Sequence, residues 1–105
     1  MTKLHKKLRK CLKSLLLAAI VFSTACETAP PVQEMSDARQ AISVAKEAGA
    51  AKHAAFHLEA AENYLDSAES DLTRRAYHEA RKNAYQAKMK ALDALQVSEE
   101  ISKEK

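Results

Sequence analysis

The chain of 105 residues is poor in residues that break helices and shape loops, with one glycine, two prolines and no tryptophan. Loops that cradle phosphate groups need several glycines close together, so this composition excludes a phosphate-binding loop. No segment alternates polar and apolar residues as a half-buried strand does. No serine lies in the sequence context of a hydrolase nucleophile. The sequence therefore predicts an all-α protein that is not an enzyme.

Cysteine is also scarce, and its two positions organise the first quarter of the chain. Cys11 lies in a lysine-rich segment, residues 1–13, and an apolar run of eight residues follows at 15–22. A basic segment before an apolar run of roughly 7–15 residues is typical of a secretory signal peptide. The run is too short for a transmembrane helix, which needs about 20 apolar residues.

Three small residues then precede the second cysteine, and Ser23-Thr24-Ala25-Cys26 resembles the lipobox of bacterial lipoproteins. The resemblance implies cleavage between Ala25 and Cys26 and a diacylglycerol on the Cys26 thiol. About three acyl chains on the mature N-terminus would anchor it stably. Glu27, in place of an aspartate, implies sorting to the outer membrane, facing the periplasm. The alternatives are an ordinary signal peptide with an incidental cysteine, or an uncleaved anchor.

Removal of this leader would reverse the charge of the protein. The whole chain carries 17 basic and 14 acidic residues, a net charge of +3, and six of the basic residues precede Cys26. Without those six, 11 basic and 14 acidic residues remain, and the basic ones are interspersed with acids. A nucleic-acid partner is therefore not expected. Cys11 would leave with the leader and Cys26 would carry lipid, so no thiol is left for a disulfide, a metal or a nucleophile.

The rest of the chain reads as a short tether and a helical domain. Residues 26–31 contain Pro30 and Pro31, which favour an extended spacer. Apolar residues spaced by three and four predict helices at about 32–48, 52–72 and 75–102 within a domain of residues 32–105. Gly49 is expected to end the first helix. Neither glycine nor proline separates the second helix from the third, so one helix over 52–102 is an alternative. An antiparallel hairpin in a three-helix bundle is predicted instead, because the apolar stripes must bury against something.

The apolar stripes define the predicted core, and the acidic residues Glu59, Glu62, Asp66, Glu69 and Asp71 are assigned to the opposite side of the second helix. Alanine predominates in the stripes, so each residue buries little area and the core is thin. Self-association, or a marginally stable monomer, is therefore expected. The stripes are Met35, Ala38, Ile42 and Ala45; Phe56, Leu58, Ala61, Leu65, Ala68 and Leu72; and Tyr77, Ala80, Ala84, Ala87, Ala91 and Ala94, with Leu92, Leu95 and Ile101.

These alanine-rich helices resemble a domain of unknown function found in Gram-negative envelope lipoproteins, sometimes ahead of a peptidoglycan-binding domain. The resemblance covers about residues 35–95, and Arg75 stands where a small turn residue is usual. No activity is implied by this family. The matching residues are Ala41, Ile42, Ala45, Gly49 and Ala50, then Leu58, Ala61, Leu65 and Ala68, then Tyr77, His78, Glu79, Ala80, Ala84, Ala87 and Ala91.

Two histidines are the candidate metal ligands. His53 and His57 are four residues apart, a spacing that places both imidazoles on one face of a continuous helix. They do not form the His-Glu-x-x-His motif of zinc proteases, and His78 would have to supply a further ligand. The alternative is that these are ordinary exposed or half-buried histidines.

Two further features allow more than one interpretation. The tyrosines Tyr64, Tyr77 and Tyr85 either fill gaps in the alanine core, with their hydroxyls at its rim, or form a ligand-facing patch. Lys105 resembles the C-terminal lysine by which small helical lipoproteins similar to the major murein lipoprotein are joined to peptidoglycan; a solvated tail is the alternative.

The sequence thus predicts a lipid-anchored, periplasm-facing lipoprotein of the outer membrane with a structural or adaptor role. Its partners would be the membrane and another protein or a second copy. The alternatives are a metal or small-ligand binding module using His53 and His57, and a peptidoglycan-linked lipoprotein using Lys105.

Overall fold

The computed structural model describes residues 3–13 and 29–104, which form five helices and no strand. Helix α1 covers residues 3–13, and the others are α2 (Val32–Glu47), α3 (Ala50–His53), α4 (Ala55–Thr73) and α5 (Tyr77–Lys103). The predicted all-α fold is confirmed. None of the described helices is both long and apolar enough to cross a membrane. The apolar run at 15–22, the cleavage site at Ala25 and Cys26, and Lys105 lie outside the described residues, so the predictions made for them stay predictions.

Helices α2, α4 and α5 form an up-down-up bundle. Ion pairs join Arg39 to Glu69 at 3.1 Å and Lys46 to Glu62 at 2.6 Å. Later residues of α2 thus lie beside earlier residues of α4, so these two helices run antiparallel. A further pair of 3.2 Å joins Glu34 to Arg81, each near the start of its helix, so α2 and α5 run parallel. The chain turns between α4 and α5, and the predicted hairpin is therefore present in place of one long helix.

The core is a close-packed seam supplied mainly by α5. Six residues of α5, spaced alternately by four and three, are fully buried with no exposed surface: Ala80, Ala84, Ala87, Ala91, Ala94 and Ser98. The Ser98 hydroxyl is satisfied by donating to the Ala94 carbonyl at 2.8 Å. Small side chains let the helix axes approach closely, which recovers dispersion energy that a thin core otherwise lacks. The buried apolar residues of the other two long helices are Met35, Ala38, Ile42 and Ala45 on α2, and Leu58, Ala61 and Ala68 on α4.

The turn after α2 is partly as predicted. Gly49 has a φ of 89°, a left-handed conformation that glycine adopts without strain, and it ends the helix. The predicted single helix over 52–72 is wrong at its start, because the backbone breaks at Ala54, where φ is −143° and ψ is 42°. Alanine is the best helix former, so no local signal marks this break. It accompanies burial of Ala50 and Ala54 in one core cluster with residues of α5.

The corner between α4 and α5 is built on Arg75, which has a φ of 60°. The Arg75 N–H donates to the Leu72 carbonyl at 3.0 Å, and the Ala76 N–H donates to the Asp71 carbonyl at 2.9 Å. This pair of bonds is the common helix ending in which glycine usually holds the left-handed position. Because Arg75 belongs to the corner, α5 begins at Tyr77, two residues later than predicted.

Two residues predicted in the core lie on the surface. Phe56 is 81% exposed and Leu92 is 40% exposed. Phe56 follows the break at Ala54, so its direction could not be extrapolated from a continuous helix. Leu92 neighbours Ala91, which occupies the seam, and consecutive residues of a helix point about 100° apart. The period was correct, but the core-facing side of α5 is lined by alanine and one serine.

Candidate functional site

The predicted histidine pair does not lie on one helix. His53 ends α3 and His57 lies in the first turn of α4, on the other side of the break at Ala54. The ring of Phe56 meets the ring of His57 edge-on, with centroids 5.7 Å apart. The buried His57 Nδ1 atom has no hydrogen-bond partner in the described structure. This pair therefore lacks the shared helical face on which the metal prediction rested.

The further ligand suggested for that site is also misplaced. His78 lies in the first turn of α5, which starts where α4 ends. The stretch of α4 between His57 and that end is about 24 Å long at 1.5 Å per residue. Within the described residues, no group of three or more histidine, cysteine, aspartate or glutamate side chains could hold a metal ion. The prediction that His78 completes a site with His53 and His57 is therefore wrong.

The three tyrosines occupy different environments. Tyr64 is half-buried on α4 and lines a shallow groove with Ala60, Asn63 and Ser67. Tyr77 is half-buried at the start of α5, whereas Tyr85 is 56% exposed. The prediction that Tyr85 fills the core is wrong, because its neighbour Ala84 takes the seam position.

The end of the bundle where α2 begins holds the preceding chain firmly. Pro31 is among the largest fully buried side chains, and its carbonyl accepts a 3.1 Å hydrogen bond from the Met35 N–H. The guanidinium of Arg81 donates from Nη2 to the Ala29 carbonyl at 3.0 Å and from Nε to Glu34 Oε1 at 3.2 Å. The last residues of the predicted tether are thus part of the bundle, and only two residues separate Cys26 from Ala29.

A buried carboxylate fixes the neighbouring corner. The Asp71 side chain is 8% exposed, and its two oxygens accept hydrogen bonds from the Arg74 guanidinium and from the Asn83 amide, the latter at 2.7 Å. Sequence analysis placed Asp71 on the solvent side, and that prediction is wrong. Asn83 is 12 positions away, so only the packing of α4 against α5 reveals the partner.

The outer face of α5 carries a second series with alternating spacings of four and three, opposite the alanine seam. All eight of its members are exposed, and we call them the outer stripe: His78, Lys82, Tyr85, Met89, Leu92, Gln96, Glu99 and Lys103. Its middle is apolar, since Tyr85, Met89 and Leu92 are 56%, 39% and 40% exposed. Its ends are polar or charged. No described residue covers this face.

Comparison with known proteins gives a family and no activity. No curated protein and no solved structure matches the chain. A family profile described as a domain of unknown function, DUF4398, matches residues 33–105, from the first turn of α2 to the end of the chain. The predicted resemblance to a domain of unknown function is thereby confirmed. Because the match covers well over half of the sequence, the chain belongs to the DUF4398 family.

Proposed function

We propose that this protein is a lipoprotein anchored through Cys26 to the outer membrane, where its helical domain faces the periplasm and acts as a structural or adaptor protein. The basic segment, the short apolar run and Ser23-Thr24-Ala25-Cys26 support the anchor. We propose binding to another protein as its role, in place of catalysis, because the main feature of the domain is exposed helix surface.

The attachment of the tether to the bundle is the observation that carries this proposal. Ala29 is held by Arg81 and Pro31 is buried, so the chain is attached to the bundle at the third residue after Cys26. Three residues of extended chain reach about 11 Å at most. A lipid on Cys26 would therefore keep this end of the bundle next to the lipid headgroups. An adaptor held in this way presents its long helix faces at a set distance from the membrane.

Mass spectrometry of the N-terminus of the protein extracted from membranes tests the anchor. We expect a chain that begins at Cys26 and carries the added mass of a diacylglycerol and an amide-linked acyl group. Cys26→Ser should abolish both cleavage and lipid, while Cys11→Ser, the matched control, should change neither. An intact N-terminus with a free Cys26 thiol, or cleavage elsewhere without lipid, would refute the proposal.

Fractionation of the two membranes tests the location separately. We expect the wild-type protein in the outer membrane, and Glu27→Asp should move it towards the inner membrane without altering its acylation. Equal distribution of both forms would leave the anchor intact and contradict only the outer-membrane assignment.

A further inference from the structure

Helix α5 is electrically asymmetric about the middle of its outer stripe. Residues 77–90 contain four basic side chains and one acidic side chain, whereas residues 91–103 contain three acidic and one basic. The change of sign falls next to Met89, which is also the middle of the apolar part of the outer stripe. On the outer stripe itself, Lys82 lies in the basic half and Glu99 in the acidic half, with the exposed apolar side chains between them and Lys103 at the far end.

We propose that the outer stripe binds the outer stripe of a second copy of this chain, with the two α5 helices antiparallel about a two-fold axis near Met89. In that arrangement Tyr85 of each copy lies opposite Leu92 of the other, and the two Met89 side chains meet at the axis. Alternating spacings of four and three are those with which paired helices interlock their side chains. The result is one continuous apolar contact flanked by polar residues.

Charge selects the antiparallel orientation. Antiparallel pairing brings Lys82 of one copy beside Gln96 and close to Glu99 of the other, and His78 opposite Glu99. Parallel pairing would place Lys82 against Lys82 and Glu99 against Glu99, which costs free energy through like-charge repulsion. The antiparallel arrangement brings the two Lys88 side chains to one edge near the axis, so Lys88→Gln should tighten the contact.

This inference deepens the interaction role proposed above by naming its surface and its partner, while the contact itself needs no lipid. Only three large apolar side chains per copy take part, so a weak dimer is expected in dilute solution. Confinement to a membrane would raise the effective concentration of the two copies. With the axis at Met89 and each tether near the start of α5, the two tethers would leave the dimer about 30 Å apart. Both could reach one membrane when α5 lies along its surface.

Disulfide cross-linking tests the geometry. The background is the full chain with Cys11→Ser and Cys26→Ser, purified in a mild detergent, so that no native thiol remains. Met89→Cys should form disulfide dimers on mild oxidation, because positions on the axis fall within disulfide reach. Lys82→Cys alone should stay monomeric, but should cross-link when mixed with Gln96→Cys. An exposed cysteine on α3, Ala51→Cys, is the control. Absence of Met89→Cys dimers, or self-linking of Lys82→Cys, would overturn the proposal.

Sedimentation equilibrium of the same thiol-free background tests the energetics. Met89→Lys should weaken self-association at least tenfold, with an unchanged circular dichroism spectrum because this side chain is already exposed. Lys82→Glu should weaken it as well, and adding Glu99→Lys should restore it, since antiparallel pairing joins the two reversed charges. A monomer at all concentrations refutes the inference. That result is expected if the leader of the same chain, or another protein, covers the outer stripe. That result leaves the test of Cys26 untouched.

Discussion

The alanine seam makes a sharp prediction about residue size at Ala87. This side chain is fully buried in the middle of the six-residue seam of α5, between α2 and α4. Ala87→Leu adds three heavy atoms where neighbouring helices are already in contact. We expect it to force the helices apart, and insertions into packed cores cost about 1–3 kcal/mol. Ala87→Gly should also destabilise the bundle, by about 1.5–2 kcal/mol, from lost helix propensity and a lost buried methyl group.

These changes are large for a domain of this size, whose free energy of unfolding is expected to be about 4–11 kcal/mol. At about 4–8 °C per kcal/mol, Ala87→Leu should lower the Tm by roughly 5–20 °C. Thermal and urea unfolding of the full chain, followed by circular dichroism at 222 nm, measures both quantities. Ala55→Leu, at an exposed alanine of α4, is the matched control and should stay within about 0.5 kcal/mol of wild type. If Ala87→Leu is as stable as that control, the seam is not close-packed and the reasoning fails.

Three other predictions concern the ends of the bundle. Arg75→Gly should stabilise the fold by about 1 kcal/mol, because glycine adopts the left-handed corner without strain, whereas Gly49→Ala should destabilise it by at least as much; urea midpoints that do not move in opposite directions would contradict this. Asp71→Ala and Asn83→Ala should each cost about 1–3 kcal/mol, since the first leaves the half-buried Asn83 amide without its acceptor and the second leaves one oxygen of the buried Asp71 carboxylate without its donor; urea midpoints equal to that of the wild type would count against it. Arg81→Ala should speed proteolysis and amide hydrogen exchange around residues 29–35 several-fold, while the amides of the α5 seam keep their protection. Unchanged rates at residues 29–35 would show that the Arg81 guanidinium does not hold the tether.

The end of the bundle where α2 and α5 begin combines two local contacts. Arg81 joins α5 to the tether and to α2, while Asp71 joins α4 to α5. Asp71 is the buried group of the two, so its loss is costlier than the loss of an exposed ion pair, whereas the Ala29 carbonyl and the Glu34 carboxylate stay open to water when Arg81 is removed. Under the proposed anchoring, a pull on Cys26 would reach α2 and α5 through the contacts of Arg81.

Helical periodicity alone was sufficient to predict the buried face of a helix where the large apolar side chains lie on that face. The four predicted core residues of α2 are the buried ones, because Met35 and Ile42 identify the apolar face without ambiguity. On α5 the period was equally clear, but alanine on the core face is less hydrophobic than Tyr85 or Leu92 beside it. Both the alanines and these larger residues were candidates for the core, and close packing of the helices buries the alanines.

What the sequence by itself determined is the helical class of the domain, the positions of its turns to within a few residues, and the pattern at Cys26 on which the proposed anchor rests. These depend on local chemistry: spacing along the chain, one glycine, and a short apolar run before a cysteine. Only the tertiary structure decided the break at Ala54, the inward turn of Asp71 and the burial of Pro31. Each of these depends on partners far away in sequence, as with Arg81 and Glu34, which are 47 positions apart. Such contacts follow from how helices pack, and no local pattern encodes them.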